Sequence, residues 1–362
     1  MQRVLHIING MQTGGAEAYI MNLYRNINRD EIQFDFLLRD GNLDSDYISE
    51  IKSYGGKVIM APPFPGRMIS NYRFTKSFIE SHDEYTVIEV HANALIYVFP
   101  FLIVHKIKRD RSISIIAHSH NTQTAKKIFS IVHFANRKFI YHMMDMRLAC
   151  SEDAGKWMFG SGYRVIPNAI NIEKWVKVPN AIKYSAKITL VQVARFLPVK
   201  NHIFTLHMFA ELIKIVPDAE LILIGEGMLE DKVKDLVNKL GLNGKVTFTG
   251  AISNVQDYVK NATFVLLPSL YEGIPVSLIE AQAAGTPCII SDKVDMKVDC
   301  SGHVYSLSIE DGYGVWINTI LDKQKRERYD AVSRLKTAGY DVKQNAILVT
   351  RLYKELELKH RG

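Results

Sequence analysis

Cysteine is scarce: Cys150, Cys288 and Cys300 are the three in 362 residues, odd in number and without a CxxC pair, so neither a disulfide framework nor a zinc knuckle is supported. A reducing compartment is the simpler expectation. Long apolar runs are also missing. The longest, Ala94 to Val104, has 11 residues and is broken by Pro100, whereas a membrane helix needs about 20. Residues Met1 to Gly10 lack the apolar stretch and small-residue cleavage site of a signal peptide and read instead as a buried opening strand. No Lys/Arg block of five or more, zinc-finger spacing or aromatic-rich RNP pattern occurs, which argues against nucleic acid as a partner. With 22 Gly and 11 Pro, collagen-like and low-complexity chains are excluded as well.

What is present is an ordinary globular composition, 47% hydrophobic and 23% charged, at a length that suits two domains. The net charge of +7 is uneven: residues 1–180 carry 22 Lys/Arg against 17 Asp/Glu, and residues 181–362 carry 23 against 21. The basic excess therefore lies in the first half, and it favours anionic partners such as phosphorylated small molecules or acidic lipid headgroups.

Both halves alternate strand with helix, the pattern of a parallel sheet covered on two faces. Strands are expected at Val4–Ile8, Gln33–Leu38, Val58–Met60, Val87–His91, Ser114–Ala117, Met146–Cys150 and Arg164–Ile166. Helices are expected at Ala16–Arg29 and at Lys126–Met144, the second with Ile128, Ile131, Val132, Ala135, Phe139 and Met143 at helical spacing. The alternation lapses near Pro167-Asn168 and resumes with strands Ile188–Val193, Glu220–Ile224, Val246–Thr249, Phe264–Pro268 and Pro287–Ser291. The expected organisation is a domain over 1–167, a linker over 168–186, a second domain over 187–335 and a helical tail over 336–362 that packs back towards the first domain. The fold class is α/β, two doubly wound, Rossmann-like domains facing a central cleft, with ligands at the carboxyl ends of the strands.

Of the motifs, Pro268-Ser-Leu-Tyr-Glu272-Gly273-Ile274-Pro-Val276-Ser-Leu-Ile-Glu280 is the most informative. Gly273 permits a tight turn, Pro275 suits a first helical turn, and free N–H groups at Val276 and Ser277 would face an anion. Were the interval helical, Glu272 and Glu280 would lie about 12 Å apart along the axis, farther than the paired carboxylates of a glycoside hydrolase. Two hydroxyl-rich ends of one ligand with a phosphate between them suit this spacing better, as in a sugar–diphosphate–ribose.

Arg195 and Lys200 follow a strand and would neutralise a diphosphate leaving group. Gly14-Gly15 opens a helix and could let backbone amides approach the same donor phosphates or an acceptor, and both glycines are taken as donor-binding candidates. Gly225-Glu226-Gly227 has half of a dinucleotide fingerprint and argues for a close-packed loop instead. His118-Ser-His120 leaves a strand into a loop, where either histidine could serve as acid, base or hydrogen-bond donor to a sugar. Asp44-Ser-Asp46 matches a metal-binding Asp-x-Asp nominally, but its polar surroundings read as a turn, so no metal is expected.

These residues, in this order and over the full length, resemble the GT-B glycosyltransferases, specifically retaining family 4 and its bacterial exopolysaccharide and capsule enzymes. The resemblance rests on Gly14-Gly15-Ala16-Glu17, His118-Ser-His120-Asn121, Ile166-Pro-Asn-Ala-Ile, Ala194-Arg195 with Lys200-Asn201, and Glu272-x₇-Glu280 leading into Ala-Gly-Thr-Pro. It implies that Glu280 binds ribose hydroxyls, that Glu272 binds the donor sugar, and that the amides of Gly273, Ile274 and Val276 lie near sugar and phosphate. It also implies that Arg195 and Lys200 hold the diphosphate, and that His120, or His118 beside it, is the cleft histidine. Ala194 and Ala169 stand where Gly is common in the family, and Ile274 where an aromatic is common.

The implied reaction moves a sugar from a nucleotide sugar, UDP- or GDP-linked, to a hydroxyl of a glycan or lipid-linked acceptor, with anomeric configuration kept and without metal or resident cofactor. The alternatives are a nucleotide-sugar 2-epimerase or hydrolase of the same fold, and a non-catalytic nucleotide-sugar-binding assembly protein. A cytoplasmic location follows, and the basic helix Lys126–Met144 suggests peripheral contact with an anionic membrane, its Lys126, Lys127, Arg137 and Lys138 facing headgroups.

Overall fold

The computed structural model describes residues 1–11, 14–40, 45–121, 127–176, 187–324 and 329–359. The chain divides into two compact units: Met1–Ala169 together with Asp341–Gly362, and Ile170–Tyr340.

In the first unit, β1 (Gln2–Ile8), β2 (Ile32–Leu38), β3 (Val58–Met60), β4 (Tyr85–Ala92), β5 (Ser114–Ser119), β6 (Met146–Ala149) and β7 (Arg164–Val165) form one sheet in the order β3-β2-β1-β4-β5-β6-β7. Every adjacent pair is parallel. The order reverses between β1 and β4, the switch point at which ligands of open α/β sheets bind.

The two-residue period of a strand sorts its side chains. Val4 and Ile8 of β1, Phe34 and Phe36 of β2 and Val87 of β4 pack on one face, under the helices Gly15–Asn26 and Val342–Leu358. Leu5, Ile7, Leu37, Ile88 and Val90 pack on the other. Helix Val342–Leu358 supplies Ala346, Val349, Leu352, Tyr353 and Leu356 to the first core, so the end of the chain completes the unit that its beginning started.

In the second unit, β8 (Thr189–Val193), β9 (Glu220–Ile224), β10 (Val246–Phe248), β11 (Phe264–Leu267), β12 (Cys288–Ser291) and β13 (Val304–Leu307) run parallel in the order β10-β9-β8-β11-β12-β13. The switch point here lies between β8 and β11. Strand β13 was not expected from the sequence; Val304-Tyr-Ser-Leu307 is a short edge strand without a pronounced apolar run.

The expected linker differs from what is observed. Its first part is docked: Ile170, Ile172 and Trp175 are buried in the second core, with a short helix at Ile172–Trp175, because three large apolar side chains do not stay in water. Residues 177–186 lie outside the described residues. The helix Val332–Thr337 runs across the boundary expected at 335, and it and Tyr340, expected in the tail, pack on the second unit.

The expected helix Lys126–Met144 is observed as Lys127–Ile140 followed by a 3-10 turn at Tyr141–Met143, with Lys126 outside the described residues. Several of its apolar residues face solvent. His133 and Ile140 are buried, while Ile131 and Phe139 are 66% and 62% exposed. Polar groups hold it down: the His133 ring accepts from the Leu95 N–H at 3.0 Å and meets the Trp157 carbonyl at 3.1 Å, and Asn136 donates to the Leu95 carbonyl at 2.7 Å.

Because the last helix covers the first core with one face, Leu352→Ala should lower stability by about 2–5 kcal/mol, the usual cost of a buried Leu truncation. The exposed Ile347→Ala on the same helix should cost less than about 0.5 kcal/mol. Thermal unfolding checks this, and equal effects would contradict the packing of the helix against the sheet.

Candidate active site

In the first unit, strand periodicity gathers a polar cluster inside an apolar core. Glu89 and His91 alternate on β4, and His118 on β5 is followed two residues later by His120 in the adjoining loop. Since β1 pairs His6 with Glu89 and β5 pairs His118 with His91, the five side chains converge on one face. His6 Nδ1 meets His91 Nε2 at 2.9 Å, and His91 Nδ1 meets His120 Nε2 at 2.9 Å. His118 Nδ1 hydrogen-bonds Glu89 at 2.7 Å, and the Tyr353 hydroxyl donates to the other Glu89 oxygen.

Burial alone would push the Glu89 carboxyl up. The hydrogen bond and charge of His118, the charge of His6 and the Tyr353 hydroxyl outweigh it and hold the group at about 2. Burial takes His6 down to about 4. Burial, then the neighbouring rings, places His91 and His120 well below the usual histidine value. At neutral pH these three rings are uncharged, so each donates one hydrogen bond and accepts one. The chain His6–His91–His120 then has two proton arrangements. In one, His120 Nδ1 carries a hydrogen; in the other, it is a bare acceptor and the hydrogen sits on His6 Nε2. Among the described residues neither terminal nitrogen makes a hydrogen bond of good geometry, although the Asn168 side chain lies near enough to act on His120.

Donor atoms of His91, His118 and His120 lie within 4.8 Å of one another, as do those of His6, Glu89 and His91. In both triads hydrogen bonds already link members, His91 to His120 in the first and His6 to His91 in the second.

A cavity of about 370 Å³ opens at this switch point, lined by Asn9, Glu17, Arg39, Tyr97, His120 and Phe129 among others. Arg39 follows β2 and is 8% exposed, its guanidinium 4.0 Å above the Tyr97 ring centroid and its Nε unpartnered. Burial draws its pKa down to about 10, which leaves it charged at neutral pH. Gly14 caps the helix Gly15–Asn26 in an extended conformation. The Glu17 carboxylate lies against it, within 2.3 Å of where a Cβ would stand, while Gly15 faces open space. The helix end expected to meet phosphate or acceptor is thus next to its own carboxylate.

In the second unit, the loops after β8 and β11 bring Lys200 and Glu272 into an ion pair, joined by the Ser269 hydroxyl at 3.2 Å from Glu272. Arg195 stands exposed at the start of the first of these loops. Gly225 and Gly227 place it: both have positive φ, and a Cβ on either would come within 2.3 Å and 2.7 Å of the carbonyl oxygens of Ala194 and Phe196. That is a close-packed loop, as its sequence suggested.

Gly273 differs from expectation, since its φ is not positive and a Cβ there would meet nothing within 4 Å. Its small size leaves space and is not needed for the turn. The helix begins at Val276, so residues 272–275 are loop and the 12 Å axial estimate does not apply. Ile274 and Val276 pack on the core, and Glu280 sits one turn into the helix with its carboxyl pushed up to about 8 by burial, Lys174 opposing. Ser45 begins a helix Ser45–Ser53, so Asp46 is in its first turn; Asp44 lies outside the described residues.

Sequence reasoning singled out His118 and His120 but missed His6, Arg39, Glu89, His91 and Tyr353. The available signal was polar residues at every second position of strands that are otherwise apolar.

Two family models match the chain, Glycosyltransferase Family 4 over residues 13–174 and Glycosyl transferases group 1 over residues 173–303. A Bacillus subtilis protein named as a glycosyltransferase, EpsF, is 31% identical, with 97% of this chain and 96% of that protein covered. The UDP-Gal:alpha-D-GlcNAc-diphosphoundecaprenol alpha-1,3-galactosyltransferase of Escherichia coli is 29% identical over 35% of this chain and 36% of its own length. The crystal structure of Anabaena HepE in complex with UDP matches at a TM-score of 0.71 and 15% identity, covering 98% of this chain and 99% of that one. With a relative of that similarity over nearly its whole length, and with the fold of the GT-B enzymes, the chain belongs to the family 4, group 1 glycosyltransferases.

Proposed function

We propose that the protein transfers a sugar from a UDP- or GDP-sugar to a hydroxyl of a glycan or lipid-linked acceptor in exopolysaccharide or capsule assembly, with retention of anomeric configuration and without metal. The observation that carries this reading is the Lys200–Glu272 pair at the β8/β11 switch point, just ahead of the N-terminus of helix Val276–Ala283. The EpsF relative, the diphosphoundecaprenol named as acceptor of the Escherichia coli relative and the UDP bound to HepE support it.

In this reading Arg195 and Lys200 neutralise the departing diphosphate, with the amides of Gly273, Ile274 and Val276 beside it, and charge stabilisation there is the largest contribution to rate. Glu272 takes the donor sugar's hydroxyls and Glu280 those of the ribose. Lys200 exchanges its carboxylate partner for the diphosphate on donor binding. In the first unit, Gly14, Gly15 and His120 serve the acceptor side, and the uncharged His120 Nδ1 accepts from or donates to a sugar hydroxyl according to its tautomer.

The protein acts at the cytoplasmic face of the membrane as a peripheral enzyme. Among the described residues no helix is long and apolar enough to cross a membrane. The helix Lys127–Ile140, however, turns Phe129, Ile131, Phe134 and Phe139 to solvent beside the basic Lys138, an arrangement suited to the interface of an anionic bilayer.

Glu272→Gln should lower sugar transfer by at least about 100-fold while UDP affinity stays within a few-fold, because Lys200 is released, not lost. Lys200→Met should weaken UDP itself. Calorimetric titration with UDP alongside a transfer assay separates the two, and full transfer by Glu272→Gln would refute the assignment. EDTA should leave transfer intact; loss restored by a divalent cation would overturn the metal-free mechanism.

Glu280 gives a pH dependence. Ribose hydroxyls favour the ionised carboxylate, which forms as pH rises towards 8, so UDP affinity should rise from pH 6 to pH 8, by at most about tenfold per unit. Binding near pH 7 should release protons, and Glu280→Gln should remove both effects. The wild-type protein should co-sediment with anionic vesicles at low salt and dissociate at high salt, and no sedimentation at low salt would end the membrane reading.

A further inference from the structure

Arg39 is the feature that the donor chemistry leaves unused. It sits at the carboxyl end of β2, its backbone N–H held by the Asn9 carbonyl at 2.9 Å, and its side chain forms part of the cavity that also holds His120. The guanidinium carbon lies 4.0 Å from the Tyr97 ring centroid and 5.8 Å from that of Phe64. Tyr97 is itself fixed: its hydroxyl donates to Asn71 at 2.9 Å and lies 3.0 Å from the Thr75 hydroxyl. The guanidinium carbon stands over the Tyr97 ring, and among the described residues its buried Nε donor has no hydrogen-bond partner.

The same two strands show the contrast. Arg3 of β1 is clasped by Asp35 of β2 through two hydrogen bonds of 2.8 and 2.7 Å. Asp40 acts on Arg39 electrostatically without such a clasp. A buried cation without a carboxylate clasp is costly, and Arg39 lines the cavity, so an oxyanion bound there would offset that cost.

We propose that Arg39 is a phosphate-binding residue of the acceptor cavity, holding the phosphoryl group that joins a lipid-linked acceptor glycan to its lipid. The inference rests on the reading that the first unit receives the acceptor. Phosphate is favoured over the carboxylate of an acidic sugar by the cavity's other wall. Phe129 belongs to the helix whose Ile131 and Phe139 are turned to solvent, so an anion at Arg39 lies in a cavity bordered by the start of an apolar surface. A phosphorylated lipid uses both features, and an acidic sugar uses one.

The test is calorimetric titration of the full chain with citronellyl phosphate, citronellol, citronellate and inorganic phosphate, in saturating UDP so that the donor's diphosphate site is filled. Citronellyl phosphate should bind best. Arg39→Gln should weaken it by about ten- to hundredfold, the range for hydrogen bonds to a charged group, while its affinity for citronellol is unchanged. Arg39→Lys keeps the buried charge without the planar fork and should lose several-fold; it carries the test if the Gln variant does not fold, as judged by its melting temperature.

Unchanged affinity in a folded Arg39 variant, or citronellol binding as tightly as its phosphate, would overturn the proposal. Tighter binding of citronellate would replace phosphate by carboxylate, and inorganic phosphate binding as tightly as citronellyl phosphate would replace the lipid source by a free anion. UDP titrated into the wild type separately reports on the donor reading: its failure to bind would count against that reading and leave the Arg39 comparison intact.

Discussion

A single buried negative charge organises the first unit. Glu89 lies in the middle of the sheet, and a carboxylate there is tolerated only when its oxygens are satisfied. One oxygen is met by His118 of the adjacent strand, the other by Tyr353 of the chain's last helix. This bond joins residues 264 apart in sequence and, with the apolar packing of the same helix, ties Asp341–Gly362 back to the unit. Removing either donor would leave one oxygen of a buried carboxylate without its hydrogen bond, a defect that typically costs about 1–3 kcal/mol and more for a charged group.

The same charge orders the histidines. His118 is committed to Glu89 through Nδ1, and its ring stacks on that of His120 with centroids 4.3 Å apart. His120 is then placed by two neighbours, the stacked His118 and the hydrogen-bonded His91, and it enters the cavity as an oriented, uncharged imidazole. A mobile surface histidine would titrate near neutrality and change its charge with small changes in pH. This one keeps one charge state over the physiological range, and what varies is the position of its hydrogen along the chain to His6.

Much of this was legible in the sequence, and the exceptions have physical reasons. The strands were found because parallel strands covered on both faces are nearly continuous apolar runs, as in Ile115-Ile-Ala of β5. His118, His120, Arg195, Lys200, Glu272 and Glu280 were named as candidates because they belong to motifs in or just after strands, where local chain order carries information. Glu89, His91 and His6 were missed because their partners are set by strand pairing, which joins residues 85 apart and leaves no local trace. Tyr353 was missed for the same reason at larger separation. Periodicity alone did not settle which face of the helix Lys127–Ile140 is buried, since a core-packed helix and one with exposed Phe and Ile share the same spacing. Here His133 and Asn136 bond the backbone at Leu95 and fix the orientation.

The two units place functional side chains at equivalent points, the switch of strand order in each sheet, but treat positive charge differently. Lys200 is neutralised by Glu272, so in the proposed reading an incoming diphosphate displaces a partner and frees the carboxylate for a sugar hydroxyl. Such an exchange suits a group that must bind one charge state, assist its departure and reset. Arg39 is fixed by stacking on a tyrosine that is itself hydrogen-bonded on two sides, and the desolvation of its charge has already been met by the fold. An anion arriving there displaces no clasping carboxylate and reorients little, which suits a group that positions a substrate without taking part in bond making. The difference between an exchangeable and a preorganised cation is therefore a difference in task, and it follows from which neighbours each strand end supplies.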